Sequence, residues 1–320
     1  MHRFTDWQGL AAKAQDAGAK GASVAMGNFD GLHLGHQAVI RAAHEACPDA
    51  PLGIVTFEPH PREFFARHRG DAAAPAFRLM NAEARANRLA KLGVERLYEI
   101  PFDAALAAMS AEDFVTRVLV EGLGVRHVTV GADFLFGHGR SGDAALLAEL
   151  GARHGFGTTI LPLLAEGATR VSSTEVRRLL SEGAPRAAKD LLGHWHRIEG
   201  PVIHGEKRGR ELGYPTANMA VEGLHLPRLG VYAVKVDVLT GPQAGSYGGA
   251  ASLGVRPMFG ENTPNLETFV FDFSGDLYGQ QLSVAFIDYL RPEMKFDGLP
   301  ALLAQMDADC ARARDILAAL

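Results

Sequence analysis

Two histidines three residues apart close a glycine-bearing run, Gly27-Asn28-Phe29-Asp30-Gly31-Leu32-His33-Leu34-Gly35-His36. The run follows a short β-rich segment and leads into a helical pattern beginning near Gly35. A strand, a turn and a helix N-terminus make an anion site, because unpaired N–H groups and the helix dipole face the ligand. Gly31 and Gly35 allow backbone shapes and close approaches that a Cβ blocks. His33 and His36 can both face phosphates there and donate hydrogen bonds to the oxygens of a pentavalent phosphorus. The same short pattern also fits an ordinary βα connection with two exposed histidines. A second run, Arg170-Val171-Ser172-Ser173-Thr174-Glu175-Val176-Arg177, sets hydroxyls at another helix start, with Arg177 one turn inside. One hydroxyl is explained by an N-cap; three bracketed by two arginines are not.

In the second half, Gly205, Gly209 and Gly213 recur every four residues within a basic stretch. The Gly-Lys-Ser/Thr ending of a Walker A loop is missing, and no helix pattern follows as in a dinucleotide fingerprint. Glycines between strands still cradle phosphates with backbone N–H groups, although a flexible basic hairpin loop has the same spacing. Pro215-Thr216-Ala217-Asn218 is more telling. Thr216 and Asn218 lie two apart, so an extended chain points both to one face. A hydroxyl and an amide oxygen are neutral ligands suited to Mg²⁺ that already carries nucleotide phosphates. His194-Trp195-His196 has a metal-like look, but two histidines without further ligands hold metals poorly, so packing between the halves is the reading.

The elements that must position these groups fall into two kinds. β-rich runs at Ser23–Met26, Leu52–Phe57, Arg96–Ile100, His127–Val130 and Thr158–Leu161 alternate with helical patterns such as Glu83–Leu92, Ala111–Leu119 and Asp143–His154. That alternation predicts βαβ units and a parallel sheet, with ligands at the carboxyl ends of its strands. Ser172 or Ser173 can cap a helix reaching about Leu180, and Pro185 is placed to open another that fades near Leu192. Beyond that, strand-like runs appear at Arg197–His204, Gly230–Val238, Gly248–Leu253, Glu267–Phe273 and Gln281–Tyr289, punctuated by Gly and Pro. They suggest a small antiparallel barrel or sandwich. A helix over Pro300–Leu320 closes the chain. Two domains are expected, 1–184 and 185–320, of different fold and with no internal repeat.

A length of 320 residues matches two domains of ordinary size. With 47% hydrophobic and 22% charged residues, each half can bury a core. The net charge of −5 offers no bulk attraction to nucleic acid. Cys47 and Cys310 are too few and too distant for a zinc site or a disulfide framework. No signal-like leader and no apolar run of spanning length is visible, so a cytoplasmic protein without membrane attachment is expected. Nothing sets an oligomeric state; a homo-oligomer is compatible with the sequence.

Taken together, Gly-x-Phe-Asp-Gly-x-His-x-Gly-His and the later Ser-Ser-Thr-x-x-Arg resemble the nucleotidylyltransferase superfamily. The version here is most similar to the FMN adenylyltransferase module of bacterial bifunctional riboflavin kinase/FAD synthetases. Thr56-Phe57-Glu58-Pro59-His60-Pro61-Arg62-Glu63-Phe64-Phe65 and Gly131-Ala132-Asp133-Phe134-Leu135-Phe136-Gly137 support the narrower match. The C-terminal half resembles the riboflavin kinases of the same family through the run from Gly200 to Asn218, Leu253-Gly254-Val255-Arg256-Pro257, Leu266-Glu267-Thr268-Phe269, Asp272-Phe273 with Leu277-Tyr278-Gly279, and Arg291-Pro292-Glu293-Met294-Lys295-Phe296.

The resemblance implies a Rossmann-like α/β domain followed by a small antiparallel β-barrel with a terminal helix. It implies phosphorylation of riboflavin to FMN in the second half and adenylylation of FMN to FAD in the first, with ATP as co-substrate and Mg²⁺ as cofactor. It assigns Gly27, Asn28, Phe29, Gly35, Ser173, Thr174 and, more weakly, Arg170 to ATP, with His33, His36 and Arg177 acting on the phosphates. Phe57, Pro59, Pro61, Phe65 and Phe136 would shape a flavin pocket, with Asp133 beside it. In the kinase, Gly205, Lys207, Gly209 and Arg210 would meet ATP, Thr216 and Asn218 the metal, and Glu267 would be the general base. Met258 stands where related kinases usually carry Thr, and Phe269 where His is frequent; altered flavin-pocket detail with retained activity is the expectation. A chain with one vestigial site, or a flavin-binding regulator without turnover, would not need both motif sets intact.

Overall fold

The computed structural model describes residues 1–8, 21–71, 76–166, 169–204, 213–258 and 261–320; the side chains at 165–166, 169, 256–258 and 261–263 are outside the description. Gly205, Lys207, Gly209 and Arg210 therefore lie outside the described residues, as does the side chain of Met258. The chain forms two compact units. One comprises Met1–Ala74 with Arg85–Val171, the other Pro75–Ala84 with Ser172–Leu320.

In the first unit, β1 (His2–Phe4), β2 (Ser23–Met26), β3 (Leu52–Glu58), β4 (Arg96–Pro101), β5 (His127–Gly131) and β6 (Gly157–Leu161) form one sheet in the order β1-β4-β3-β2-β5-β6. Every neighbouring pair is parallel. All four residues of β2 and the first six of β3 are buried, as expected for central parallel strands covered on both faces. The helices include α1 (Leu34–Ala46), α2 (Pro61–His68), α3 (Ala82–Lys91) and α4 (Ala144–His154). Asp143 caps α4 by accepting from the Leu146 N–H, and Gly155, at φ +82°, ends it.

Several sequence expectations change; the strands read over Gly248–Leu253 and Glu267–Phe273 run over Gly245–Met258 and Glu261–Val270. The helix read over Ala111–Leu119 is one α-turn, Ala111–Asp113, followed by a wider π-helix, Phe114–Gly122, which buries Phe114, Val115, Val118 and Leu119. Pro61 opens α2, where its fixed φ and missing N–H suit a first helical position.

The second unit begins with α5 (Ser173–Ser181) and α6 (Pro185–Leu192), whose starts agree with the capping signals: Ser172 Oγ accepts from the Glu175 N–H, and Pro185 stands in the first turn of α6. Six antiparallel strands follow: β7 (Arg197–Ile203), β8 (Thr216–Ala220), β9 (Gly230–Val238), β10 (Gly245–Met258), β11 (Glu261–Val270) and β12 (Gln281–Arg291). They close into a barrel in the order β7-β8-β11-β10-β9-β12. Its interior is apolar, with Met219, Tyr232, Val234, Leu253, Leu266 and Phe286 buried together. The terminal helix α7 (Leu299–Ala318) packs outside the barrel, where Ala313, Cys310, Ile316 and Leu317 meet Ala250, Phe269 and Phe271. His196 is buried against Phe286. His194 Nδ1 bonds the Trp195 carbonyl, and Lys189 lies over the Trp195 ring. These contacts all belong to the second unit. Among the described residues no helix is long and apolar enough to cross a membrane.

Candidate active sites

The sheet order places a topological switch between β2 and β5, because the chain builds outward from β2 to β3 and β4 on one side and to β5 and β6 on the other. Open α/β sheets bind ligands in the crevice at such a point. Gly27 and Asn28 follow β2, Pro59 and Pro61 follow β3, and Asp133 follows β5. Three adjacent strand ends thus bear the candidate residues.

The loop after β2 is sharply folded. Phe29, Gly31 and Leu32 all have positive φ, at 51°, 84° and 47°. For Phe29 and Leu32 this is an uncommon conformation, held by near-complete burial of both side chains, 1% and 0% exposed. Thr56 Oγ1 donates to the Asn28 carbonyl at 3.3 Å and Gln37 Nε2 to the Leu32 carbonyl at 2.8 Å, which pins the loop at both ends. The Phe29 ring packs on His36 at 5.2 Å and so supports the loop from below, while Asn28 is exposed.

His33 caps α1. Its Nδ1 accepts from the His36 N–H at 3.3 Å, so the neutral ring carries its proton on Nε2. At Gly35, a Cβ would lie 3.1 Å from that same Nδ1, tighter than ordinary contact. The His33 and His36 rings stack at 3.7 Å between centroids. His36 Nδ1 is enclosed and has no hydrogen-bond partner among the described residues. Burial first, and the charge of His33 second, hold the His36 pKa well below its usual value.

The proposed flavin residues divide by exposure. Phe57 and Phe136 are buried, 9% and 6% exposed, and both touch Phe114 at 6.2 and 5.8 Å. Phe65, 42% exposed, meets Phe102 at 5.8 Å, and Phe102 in turn meets Phe57 at 5.8 Å. A continuous aromatic cluster therefore runs from the core to an exposed ring. Pro59 and Pro61 flank it on the chain, half-buried. Asp133 pairs with Arg170 at 2.5 Å, both more than half exposed. Ser173, Thr174 and Arg177 lie on α5, in the second unit. There Arg177 Nε donates to the Phe77 carbonyl at 2.6 Å, and its guanidinium carbon is 5.4 Å from the Phe77 ring centre.

In the barrel, β8 and β11 pair so that Asn218 faces Glu267 and Thr216 faces Phe269. Paired residues in an antiparallel ladder share a face, so these four side chains lie on one side. Met219 and Leu266, next to them, point into the apolar interior. Glu267 and Asn218 accordingly stand on the barrel's outer face, where a charge escapes the cost of an apolar core. Glu267 is nonetheless only 8% exposed. Phe269 meets Tyr214 at 5.1 Å and packs beside α7. Tyr214 O–H donates to Asp307 on α7, tying the start of β8 to the terminal helix. Asn265, absent from every motif above, donates to Glu267 Oε1 at 3.0 Å and to Asn218 Oδ1 at 3.3 Å. Only the strand register reveals it.

A tightly folded loop at the switch point of a parallel sheet, and on a barrel a carboxylate facing an amide with a hydroxyl two residues along the same face, fit a two-domain transferase that works on nucleotide phosphates. Comparison with known proteins narrows this. Residues 15–175 match the FAD synthetase family model, and residues 192–317 the riboflavin kinase model. A bifunctional riboflavin kinase/FMN adenylyltransferase of Pseudomonas fluorescens is 41% identical over 302 residues, covering 93% of this chain and 94% of that protein. That of Escherichia coli K12 is 37% identical, with 92% and 93% covered. A crystal structure described as a macrolide-efflux protein from Streptococcus pneumoniae superposes with a TM-score of 0.77, at 29% identity and 96% coverage of both chains. The chain belongs to the bifunctional riboflavin kinase/FMN adenylyltransferase family, with the FAD synthetase domain N-terminal and the riboflavin kinase domain C-terminal. It phosphorylates riboflavin to FMN and adenylylates FMN to FAD, using ATP in both steps.

Proposed function

We propose that the kinase step is run by Glu267, Asn218 and Thr216, and the adenylyl step by the His33–His36 loop together with Ser173, Thr174 and Arg177. The observation that carries the first assignment is the register pair Asn218–Glu267. Glu267 takes the proton of the ribityl 5′-hydroxyl as the hydroxyl oxygen attacks the γ-phosphorus of ATP, the bond from that phosphorus to the bridging oxygen breaks, and ADP leaves. Thr216 and Asn218 supply hard, neutral oxygens that fit a divalent cation brought in on nucleotide phosphates. Bound Mg²⁺ would shield the phosphate charge against the incoming hydroxyl. Gly205, Lys207, Gly209 and Arg210 are assigned to the same ATP.

In the first domain, the FMN phosphate attacks the α-phosphorus of ATP and pyrophosphate leaves. His33 Nε2–H and the His36 ring face the charge that builds on phosphorus, and Gly27, Asn28, Phe29 and Gly35 shape the loop that receives it. Asp133 and Arg170 border the crevice, and the aromatic cluster ending at Phe65 receives the isoalloxazine ring. The division between activities falls at 184/185, in the turn between α5 and α6. Free flavins and ATP in the cytoplasm are the partners; neither nucleic acid nor membrane is required.

Glu267→Gln is the direct test. With riboflavin, Mg²⁺ and ATP, FMN formation is expected to drop at least about a hundredfold, while supplied FMN still becomes FAD. Retained kinase turnover in the folded variant would remove Glu267 as the base.

A further inference from the structure

Asn265 lies two residues before Glu267 on β11, and Asn218 faces Glu267 from β8. Asn265 is therefore diagonal to Asn218, within reach of a short amide. Its Nδ2 carries two protons. One goes to Glu267 Oε1 at 3.0 Å and the other to Asn218 Oδ1 at 3.3 Å. On the far side, Asn218 Nδ2 points to the Thr216 carbonyl at 3.4 Å, which turns Oδ1 toward Asn265. The strands have no need of this bridge, since their ladder is already in register from Thr216–Phe269 to Ala220–Asn265.

We propose that Asn265 is a positioning residue of the kinase centre, locking the Glu267 carboxylate and the Asn218 amide oxygen into one fixed arrangement. The inference rests on the reading of Glu267 as base and Asn218 as oxygen ligand. The bond to Oε1 settles which way the carboxylate is turned. The bond to Asn218 uses one lone pair of Oδ1 and leaves the second for a cation. Asn265 itself touches no reacting atom; it acts by holding the two groups that do.

The experiment compares Asn265→Ser, Asn265→Ala and Asn265→Asp in the full-length protein, with FMN-to-FAD conversion as the check on the first domain and thermal unfolding followed by circular dichroism as the check that the barrel is folded. Ser keeps one donor, Ala none, and Asp keeps the shape but replaces the donor by a second carboxylate beside Glu267. Kinase kcat is expected to fall in that order, with Ala about tenfold below wild type, the value of one hydrogen bond to a charged group. KM for riboflavin should stay within about twofold, and the Mg²⁺ concentration for half-maximal rate should rise in Ala and Asp. A role limited to filling space would leave Asp nearly as active as wild type, and that result overturns the proposal. Equal kcat in all three variants overturns it too. Glu267→Gln in parallel separates the cases: if that variant keeps kinase activity, the reading of the site fails; if it is inactive while Asn265→Asp is not, only the role of Asn265 fails.

Discussion

His33 and His36 stack at 3.7 Å, and that contact limits what either ring can do. Two imidazolium cations at this distance repel, and burial already holds His36 well below its usual pKa. His36 is thus neutral near pH 7, and its enclosed Nδ1 has no hydrogen-bond partner among the described residues. His36→Ala should lower FAD formation from supplied FMN by about a hundredfold, the usual cost of a lost transition-state donor, and leave FMN formation from riboflavin unchanged. Flavin separation after each half-reaction measures both. Unchanged FAD synthesis would take the histidine out of the mechanism.

Elements are held in place by contacts of very different worth. The terminal helix α7 is anchored by Asp309, which is 6% exposed and accepts from Arg291 Nε at 2.9 Å, Arg291 Nη2 at 2.7 Å and Gln305 Nε2 at 2.9 Å. A second ion pair on the same helix, Arg314–Asp272 at 2.7 Å, is exposed. Removing one partner of a buried pair strands the other charge, so Asp309→Ala should cost about 3–5 kcal/mol. Arg314→Ala should cost far less, because water screens an exposed pair, and what it loses comes mainly from its packing over Phe271. Denaturant unfolding of the two variants tests the difference; equal midpoints would show that Asp309 does not seat the helix. Because Tyr214 bonds Asp307 one half-turn away, a loosened α7 should also weaken the kinase step more than the adenylyl step.

Stability of the folded chain carries a pH dependence set by its buried imidazoles. His196 is pushed down to about 3, by burial first and then by the nearby His194 and His225. His36, His127 and His225 are also lowered, each by burial first. In the unfolded chain these groups titrate near 6.5. Below about pH 6.5 the unfolded state takes up protons that the folded state refuses, so stability is full above that value and declines as pH falls toward the folded pKa values. His196→Leu removes one such group and a buried nitrogen that has no hydrogen-bond partner among the described residues. Its melting temperature is expected to fall less than that of wild type between pH 7.5 and pH 5 in parallel thermal scans. Parallel curves would show that His196 does not contribute.

Short-range physics made much of this protein readable. β2 and β9 were bounded to the residue, Ser172 and Pro185 open their helices as capping chemistry requires, and the period of two put Thr216 and Asn218 on one face. Each depends on neighbours within about one helical turn or one pleat. Other features needed the fold. Asn265 gains its meaning from Asn218, 47 residues away in sequence, through a ladder register that no local pattern encodes. The resemblance assigns Phe57, Phe65 and Phe136 alike to a flavin pocket, yet burial separates Phe57 and Phe136 from Phe65. The helix that bears Ser173, Thr174 and Arg177 packs within the second unit, although the sequence reads its motif with the first domain. Residue types and spacing determined which chemistry the chain carries; long-range packing decided which side chains face one another, because only the closed sheet and barrel bring distant segments into contact.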